Sequence, residues 1–117
     1  MRLLISGDRK WKNKFLVKDT ITYLLPEVII HGGAPGADEL AGITAKELGI
    51  EVLQFNAEWG RYGRGAGPIR NQRMIDEGKP DLIVAFHDDI TKSSGTADML
   101  IKAEEYNIRH CLVSNWY

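Results

Sequence analysis

A single cysteine, Cys111, excludes an intramolecular disulfide in this 117-residue chain. No charged leader with an apolar stretch opens the sequence, and the two absences together predict a cytosolic protein. No apolar run approaches the length needed to span a membrane as a helix. Neither sign of charge is in surplus: 15 Lys and Arg stand against 16 Asp and Glu, a net charge of -1. No overall positive field is therefore available to hold a nucleic-acid backbone through counterion release, and any basic site must be local. Repeats, low-complexity segments and linkers are absent too. What remains is ordinary globular composition, 44% hydrophobic and 26% charged, which predicts one domain over residues 1–117.

Five short apolar runs are spaced so that helices fit between them: Arg2 to Ser6, Val28 to His31, Glu51 to Phe55, Asp81 to Phe86 and Arg109 to Val113. Val17, Ile21, Leu24 and Leu25 mark a first helical stripe, and Ala37, Leu40, Ala41, Thr44, Ala45 and Leu48 a second, stopped by Gly49. A third helix is expected from Pro68, whose fixed φ suits a first helical position, through Arg70, Met74 and Ile75 to Gly78. A fourth is expected from about Ser94, carrying Ala97, Leu100, Ile101 and Ala103. Nearly continuous apolar strands alternating with helices predict an α/β three-layer sandwich: a parallel five-stranded sheet, order 3-2-1-4-5, with helices on both faces.

In such a sheet ligands bind beyond the carboxyl ends of the strands, where strand order reverses. The loops at that edge are Ser6-Gly-Asp-Arg-Lys-Trp11, His31-Gly-Gly-Ala-Pro-Gly-Ala-Asp38, Trp59 to Arg70, and Thr91-Lys-Ser-Ser-Gly-Thr96. Glycine lets backbone N–H groups approach an anion, and the following helix start adds its dipole and unpaired donors. That combination suits phosphate. For the serines alone, helix capping is the commoner role. Gly33-Ala-Pro-Gly36 lacks the Lys-Ser/Thr of a P-loop and the G-x-G-x-x-G spacing, which ranks ATP hydrolysis and NAD redox chemistry low. Arg61, Arg64, Arg70 and Arg73 fall in one segment without an acidic residue and make a local anion trap, although any one of them could instead be a solvated charge. Trp11, Trp59 and Tyr62 offer rings for stacking on a base, or for core packing.

Cleavage of an N-glycosidic bond would require a carboxylate. Asp8, Asp38, Glu58, Asp88, Asp89 and Asp98 lie near this edge, and the sequence does not choose among them; Asp38 and Asp98 also suit the dipole of a helix first turn without any ligand. His31 and His87 end strands read as adjacent and could face one crevice, but no thiolate or metal-motif spacing accompanies them, so no metal is expected. Cys111, in the last apolar strand, is expected to be a small buried residue.

Four segments, Ser6 to Trp11, Gly32 to Asp38, Gly67-Pro-Ile-Arg-Asn-Gln-Arg-Met74 and Ser94-Gly-Thr-Ala-Asp-Met99, together with Ala57 to Arg64, resemble the YspA/YpsA-related branch of the SLOG superfamily. The resemblance spans nearly the whole chain. It implies a Rossmann-like fold and a distant relation to the LOG phosphoribohydrolases, which release a base from cytokinin riboside monophosphates. It implies further that Arg70 lies at the substrate, with Met74 matching the methionine of the LOG Arg-Lys-x-x-Met motif, and that Ser94, Gly95 and Thr96 form the phosphate loop. The LOG motif Pro-Gly-Gly-x-Gly-Thr-x-x-Glu is altered here: its glutamate position is Met99, which cannot exchange a proton.

These readings predict a binder of a nucleotide or nucleotide-sugar phosphate that hydrolyses an N-glycosidic bond without a cofactor, with Arg70, Asp38 and Asp98 as candidate catalytic groups. The candidate ligand-binding residues are Ser6, Gly7, Arg9, Trp11, Gly32, Gly33, Gly36, Arg61, Tyr62, Arg64, Asn71, Arg73, Ser93, Ser94, Gly95 and Thr96. The alternative is a non-catalytic sensor or sequestering protein for a nucleotide signal. Single-stranded DNA binding, suggested by DNA-uptake proteins in another SLOG branch, is disfavoured by the charge. The resemblance also implies a homodimer.

Overall fold

A computed structural model of the chain describes residues 1–115. Strands β1 (Arg2–Gly7), β2 (Val28–His31), β3 (Glu51–Gln54), β4 (Leu82–Phe86) and β5 (Arg109–Val113) form one sheet in the order β3-β2-β1-β4-β5. Every pairing is parallel. The helices are α1 (Lys14–Leu24), α2 (Ala37–Leu48), α3 (Trp59–Tyr62), α4 (Ala66–Gly78) and α5 (Ser94–Glu105). Among the described residues no helix is long and apolar enough to cross a membrane.

Alternation along the central strands explains why they read as unbroken apolar runs. Leu3, Ile5, Ile29, Val84 and Phe86 pack against Val17 and Ile21 of α1 and Ala37, Ala41 and Ala45 of α2. The residues between them, Leu4, Ile30 and Ile83, pack on the other side against Met74 and Ile75 of α4 and Met99 and Ala103 of α5. Both faces are thus buried, and each central strand has no polar side to show water.

Local departures from the sequence expectations have physical causes. Leu25 is not part of the α1 stripe: it caps the helix in the left-handed conformation (φ 44°), donates its N–H to the Ile21 carbonyl and is exposed. Helix α4 starts at Ala66, two residues before Pro68, because the first-turn positions all lack an intrahelical acceptor and tolerate the missing N–H. The segment Trp59–Tyr62, read as loop, is one helical turn, followed by a 3₁₀ turn at Gly63–Gly65. In α5 the buried side is Thr96, Met99 and Ala103, and Ile101 faces solvent. Cys111, expected to be buried, is exposed. It lies on β5, an edge strand whose residues Arg109 to Leu112 are all exposed.

The reversal of strand order falls between β1 and β4. The chain leaves β1 toward α1 on one face, whereas β4 continues into α5 on the other, so the connections diverge and leave a crevice above the two strand ends.

Candidate functional site

The crevice is a cavity of about 690 Å³. Its lining comes from the β1–α1 loop (Ser6, Gly7, Asp8, Arg9, Lys10), from Ala34 and Asp38, from Trp59, Arg64 and the α4 residues Gly67, Pro68, Arg70, Asn71 and Met74, and from His87 and Lys92 to Thr96. Two glycines make this arrangement possible. At Gly7 a side chain would strike the Phe86 carbonyl oxygen and come within 2.7 Å of the Ala37 methyl group. At Gly36, where φ is +78°, it would strike the Asp8 carbonyl and lie 2.6 Å from the Arg9 backbone. The β1–α1 loop therefore closes directly over the start of α2, and the Ala37 N–H donates to the Asp8 carbonyl at 3.1 Å.

That closure decides which helix start is open. The Gly32 and Ala34 N–H groups donate to Asp38 Oδ2 at 3.0 and 3.3 Å, and the Gly33 N–H donates to His31 Nδ1 at 3.0 Å. Gly32, Gly33 and Gly36 do not line the cavity; the glycine loop spends its donors on holding Asp38 and His31. At α5 the opposite holds. Ser93 caps the helix, its Oγ accepting from the Thr96 N–H at 3.3 Å. The Ala97 N–H donates to the Ser93 carbonyl. Among the described residues the Ser94 and Gly95 N–H groups have no acceptor, and nothing lies within 4 Å of where a Gly95 side chain would stand. These are free donors at the positive end of a helix dipole.

Five cationic side chains line the cavity, Arg9, Lys10, Arg64, Arg70 and Lys92, against two carboxyl groups, Asp8 and Asp38. Arg70 is held rigidly: Nη1 donates to the Gly32 carbonyl at 2.7 Å and Nε to Asn71 Oδ1 at 3.0 Å. Asn71, 2% exposed, donates in turn to the Gly95 carbonyl at 3.1 Å, tying α4 to the open helix start. The Arg9 guanidinium lies 5.8 Å from the centre of the Trp59 ring, which is half exposed. Asp38 is buried, and burial pushes its carboxyl up to about 6 against the pull of the Ala34 and Gly32 amides and of Arg70 and Arg9. A carboxyl titrating there can hold or release a proton near neutral pH.

Other expected site residues lie elsewhere. Trp11 is core: 5% exposed, it packs on Phe86 at 5.6 Å and donates Nε1–H to the Asn13 carbonyl. Arg73 pairs with Glu77 at 2.9 Å and covers Phe55, while Arg61 stacks on Tyr62 outside the cavity. Asp98 turns away from the lining and accepts from Lys102 Nζ at 2.7 Å and from Asn71 at 3.0 Å. Met99 is fully buried in the core under α5. His31 and His87 do not share a crevice, because β1 separates β2 from β4; His31 borders a second groove beside Gly42, Ile43 and Lys46 of α2. Burial, with Arg70 nearby, holds the His31 imidazole below its usual range. Nine lining residues, Asp8, Lys10, Ala34, Trp59, Gly67, Pro68, Met74, His87 and Lys92, are missing from the candidate catalytic and ligand-binding sets. Strand adjacency could have found Asp8 and His87, since each follows the end of one of two neighbouring strands.

A family profile described as the YspA, cpYpsA-related SLOG family matches residues 1–62, from β1 through α3. The chain belongs to that family. The chain is also similar to the Gene 61 protein of Mycobacterium phage D29, 32% identical over 117 residues, covering 92% of this chain and 91% of the phage protein. At the level of fold, this SLOG domain is similar to DNA processing protein A (DprA) from Streptococcus pneumoniae, with a TM-score of 0.58 and 16% identity. The alignment covers 94% of the SLOG chain and 58% of that structure, so the Rossmann-like core is shared and the larger protein extends beyond it.

Proposed function

We propose that this SLOG domain binds a nucleotide or nucleotide sugar in the switch-point cavity, with its phosphate on the start of α5. The observation that carries the reading is the pair of unpartnered Ser94 and Gly95 N–H groups opening onto a cavity with five cationic side chains. Arg70 faces the phosphate from α4, and Trp59 offers a ring at the rim for the base. The reaction that suits the remaining groups is hydrolysis of the N-glycosidic bond. Asp38 supplies the carboxyl that handles a proton, its raised titration matching that role.

One observation favours a second reading, a nucleotide sensor without turnover. Met99 stands where the LOG enzymes have glutamate, and it is buried rather than facing ligand. A thermal-shift series with nucleoside 5′-monophosphates and the matching nucleosides, followed by chromatography for released base, separates the readings. Stabilisation by monophosphates alone together with free base supports the hydrolase. Stabilisation without base release supports the sensor, and no stabilisation by any monophosphate refutes both.

A further inference from the structure

Asp8 and His87 occupy equivalent places on neighbouring strands. Gly7 pairs with Phe86 in the parallel register, and Asp8 and His87 are the next residues of each chain, above the point where strand order reverses. Each side chain is fixed by the same local device. The Lys10 N–H donates to Asp8 Oδ1 at 2.9 Å, and the Asp89 N–H donates to His87 Nδ1 at 2.9 Å. Nδ1 therefore carries the lone pair and the neutral ring bears its proton on Nε2. One atom of each group is left over, Asp8 Oδ2 and His87 Nε2, and the two stand 3.9 Å apart.

That separation exceeds a hydrogen bond. His87 is 5% exposed, and among the described residues Nε2 has no hydrogen-bond partner. Yet among the described residues no fully enclosed side-chain nitrogen or oxygen lacks one, so Nε2 opens onto the cavity that both residues line. An acceptor-only oxygen and a donor-only nitrogen at this spacing accommodate a single atom that donates to the first and accepts from the second. An oxygen about 2.8 Å from each fits, with an angle of roughly 90° between the two bonds. Phosphate does not suit the place, because an anion would lie against the Asp8 carboxylate. An ammonium group, or the ring-conjugated amino group of a base, can donate but not accept. A hydroxyl does both.

We propose that Asp8 and His87 form a subsite that grips a sugar hydroxyl of the bound nucleotide. The inference rests on the nucleotide-binding reading above and adds the feature that distinguishes a sugar phosphate from phosphate alone. Asp8 Oδ2 accepts the hydroxyl proton, and His87 Nε2–H donates to the same oxygen. The backbone amides of Lys10 and Asp89 hold both groups in place before ligand arrives, so little ordering accompanies binding.

Calorimetric titration with inorganic phosphate, methyl ribofuranoside 5-phosphate and its 2,3-dideoxy analogue tests this without a base in the ligand. The riboside phosphate should bind about tenfold more tightly than phosphate or the dideoxy compound. In Asp8→Asn the amide oxygen can still accept from the Lys10 N–H, but the atom facing His87 becomes a donor, and the ratio between riboside phosphate and phosphate should fall to near one. The dideoxy ligand gives the same comparison on the unaltered protein, should the variant misfold. Equal binding of phosphate and riboside phosphate to the wild type would overturn the hydroxyl subsite and leave the phosphate site standing; it is also the result expected if the pair read a base edge instead. A ratio unchanged in Asp8→Asn would overturn it as well. Failure of all three ligands to bind would overturn both the subsite and the reading beneath it.

Discussion

Asp38→Asn should make the protein more stable above pH 6 and, under the proposed N-glycosidic hydrolysis, abolish base release. Asp38 is 5% exposed, and burial raises its carboxyl from 3.8 to about 6. A carboxyl that binds its proton more tightly in the folded state stabilises the fold when protonated. That contribution is complete below the unfolded value near 3.8, is lost as pH rises toward 6, and stays lost above it. At about 1.4 kcal/mol per unit, the rise corresponds to about 3 kcal/mol of folding free energy given up by neutral pH. Asparagine is neutral throughout and can still accept from the Gly32 and Ala34 N–H groups. The stability difference between variant and wild type should therefore be small near pH 3.5 and grow to about 3 kcal/mol by pH 7. Urea denaturation followed by circular dichroism at half-unit pH steps measures it. Glu27, Asp88 and Asp89 titrate low because of hydrogen bonds and act in the opposite direction. They are common to both proteins and cancel in the difference. A pH-independent difference, or a variant destabilised at pH 7, would refute the claim that Asp38 is a carboxyl held in an unfavourable charged state.

Gly36→Ala should destabilise the fold by about 2 kcal/mol or more, read from the denaturation midpoint, because φ is +78° there and the new methyl meets the Asp8 carbonyl. Met99→Glu, which puts a glutamate at the place the resemblance to LOG enzymes implies, should cost at least about 3 kcal/mol and yield no base release, since the position is 0% exposed and the carboxyl enters the core. Asp98→Ala should lower stability by about 1 kcal/mol through loss of the Lys102 and Asn71 bonds. Affinity for nucleoside monophosphates should change by less than about threefold; a large loss would return Asp98 to the site. Arg70→Ala should weaken a monophosphate by about 2 kcal/mol and its nucleoside far less, in paired titrations.

The architecture was legible because each central strand is covered on both sides. Runs such as Leu3-Leu4-Ile5 and Ile83-Val84-Ala85-Phe86 have no polar face, and the spacings between them admit only crossover helices. Burial at the edge strand was not legible: Cys111 opens the apolar stretch Cys111-Leu112-Val113, and the place of β5 beyond β4 at the sheet edge exposes it. At the candidate site, composition pointed to the edge of the sheet where the cavity lies but not to which donors are free. Gly32, Gly33 and Gly95 look alike in sequence. The first two donate to Asp38 and His31, partners fixed by the path of their loop, whereas the third is open. Asp98 likewise looks catalytic by position and is consumed by Lys102 one turn later. Asp8 and His87 are 79 residues apart in number and meet only because β1 and β4 are neighbours.

The central claim is that phosphate is held by the start of α5, and amide chemical-shift mapping during titration with a nucleoside 5′-monophosphate tests it most directly. The Ser94 and Gly95 resonances should move most and saturably, with those of Gly32, Gly33 and Ala34 nearly still because their N–H groups are already bonded within the chain. Large shifts in the glycine loop with none at Ser94 and Gly95 would contradict it.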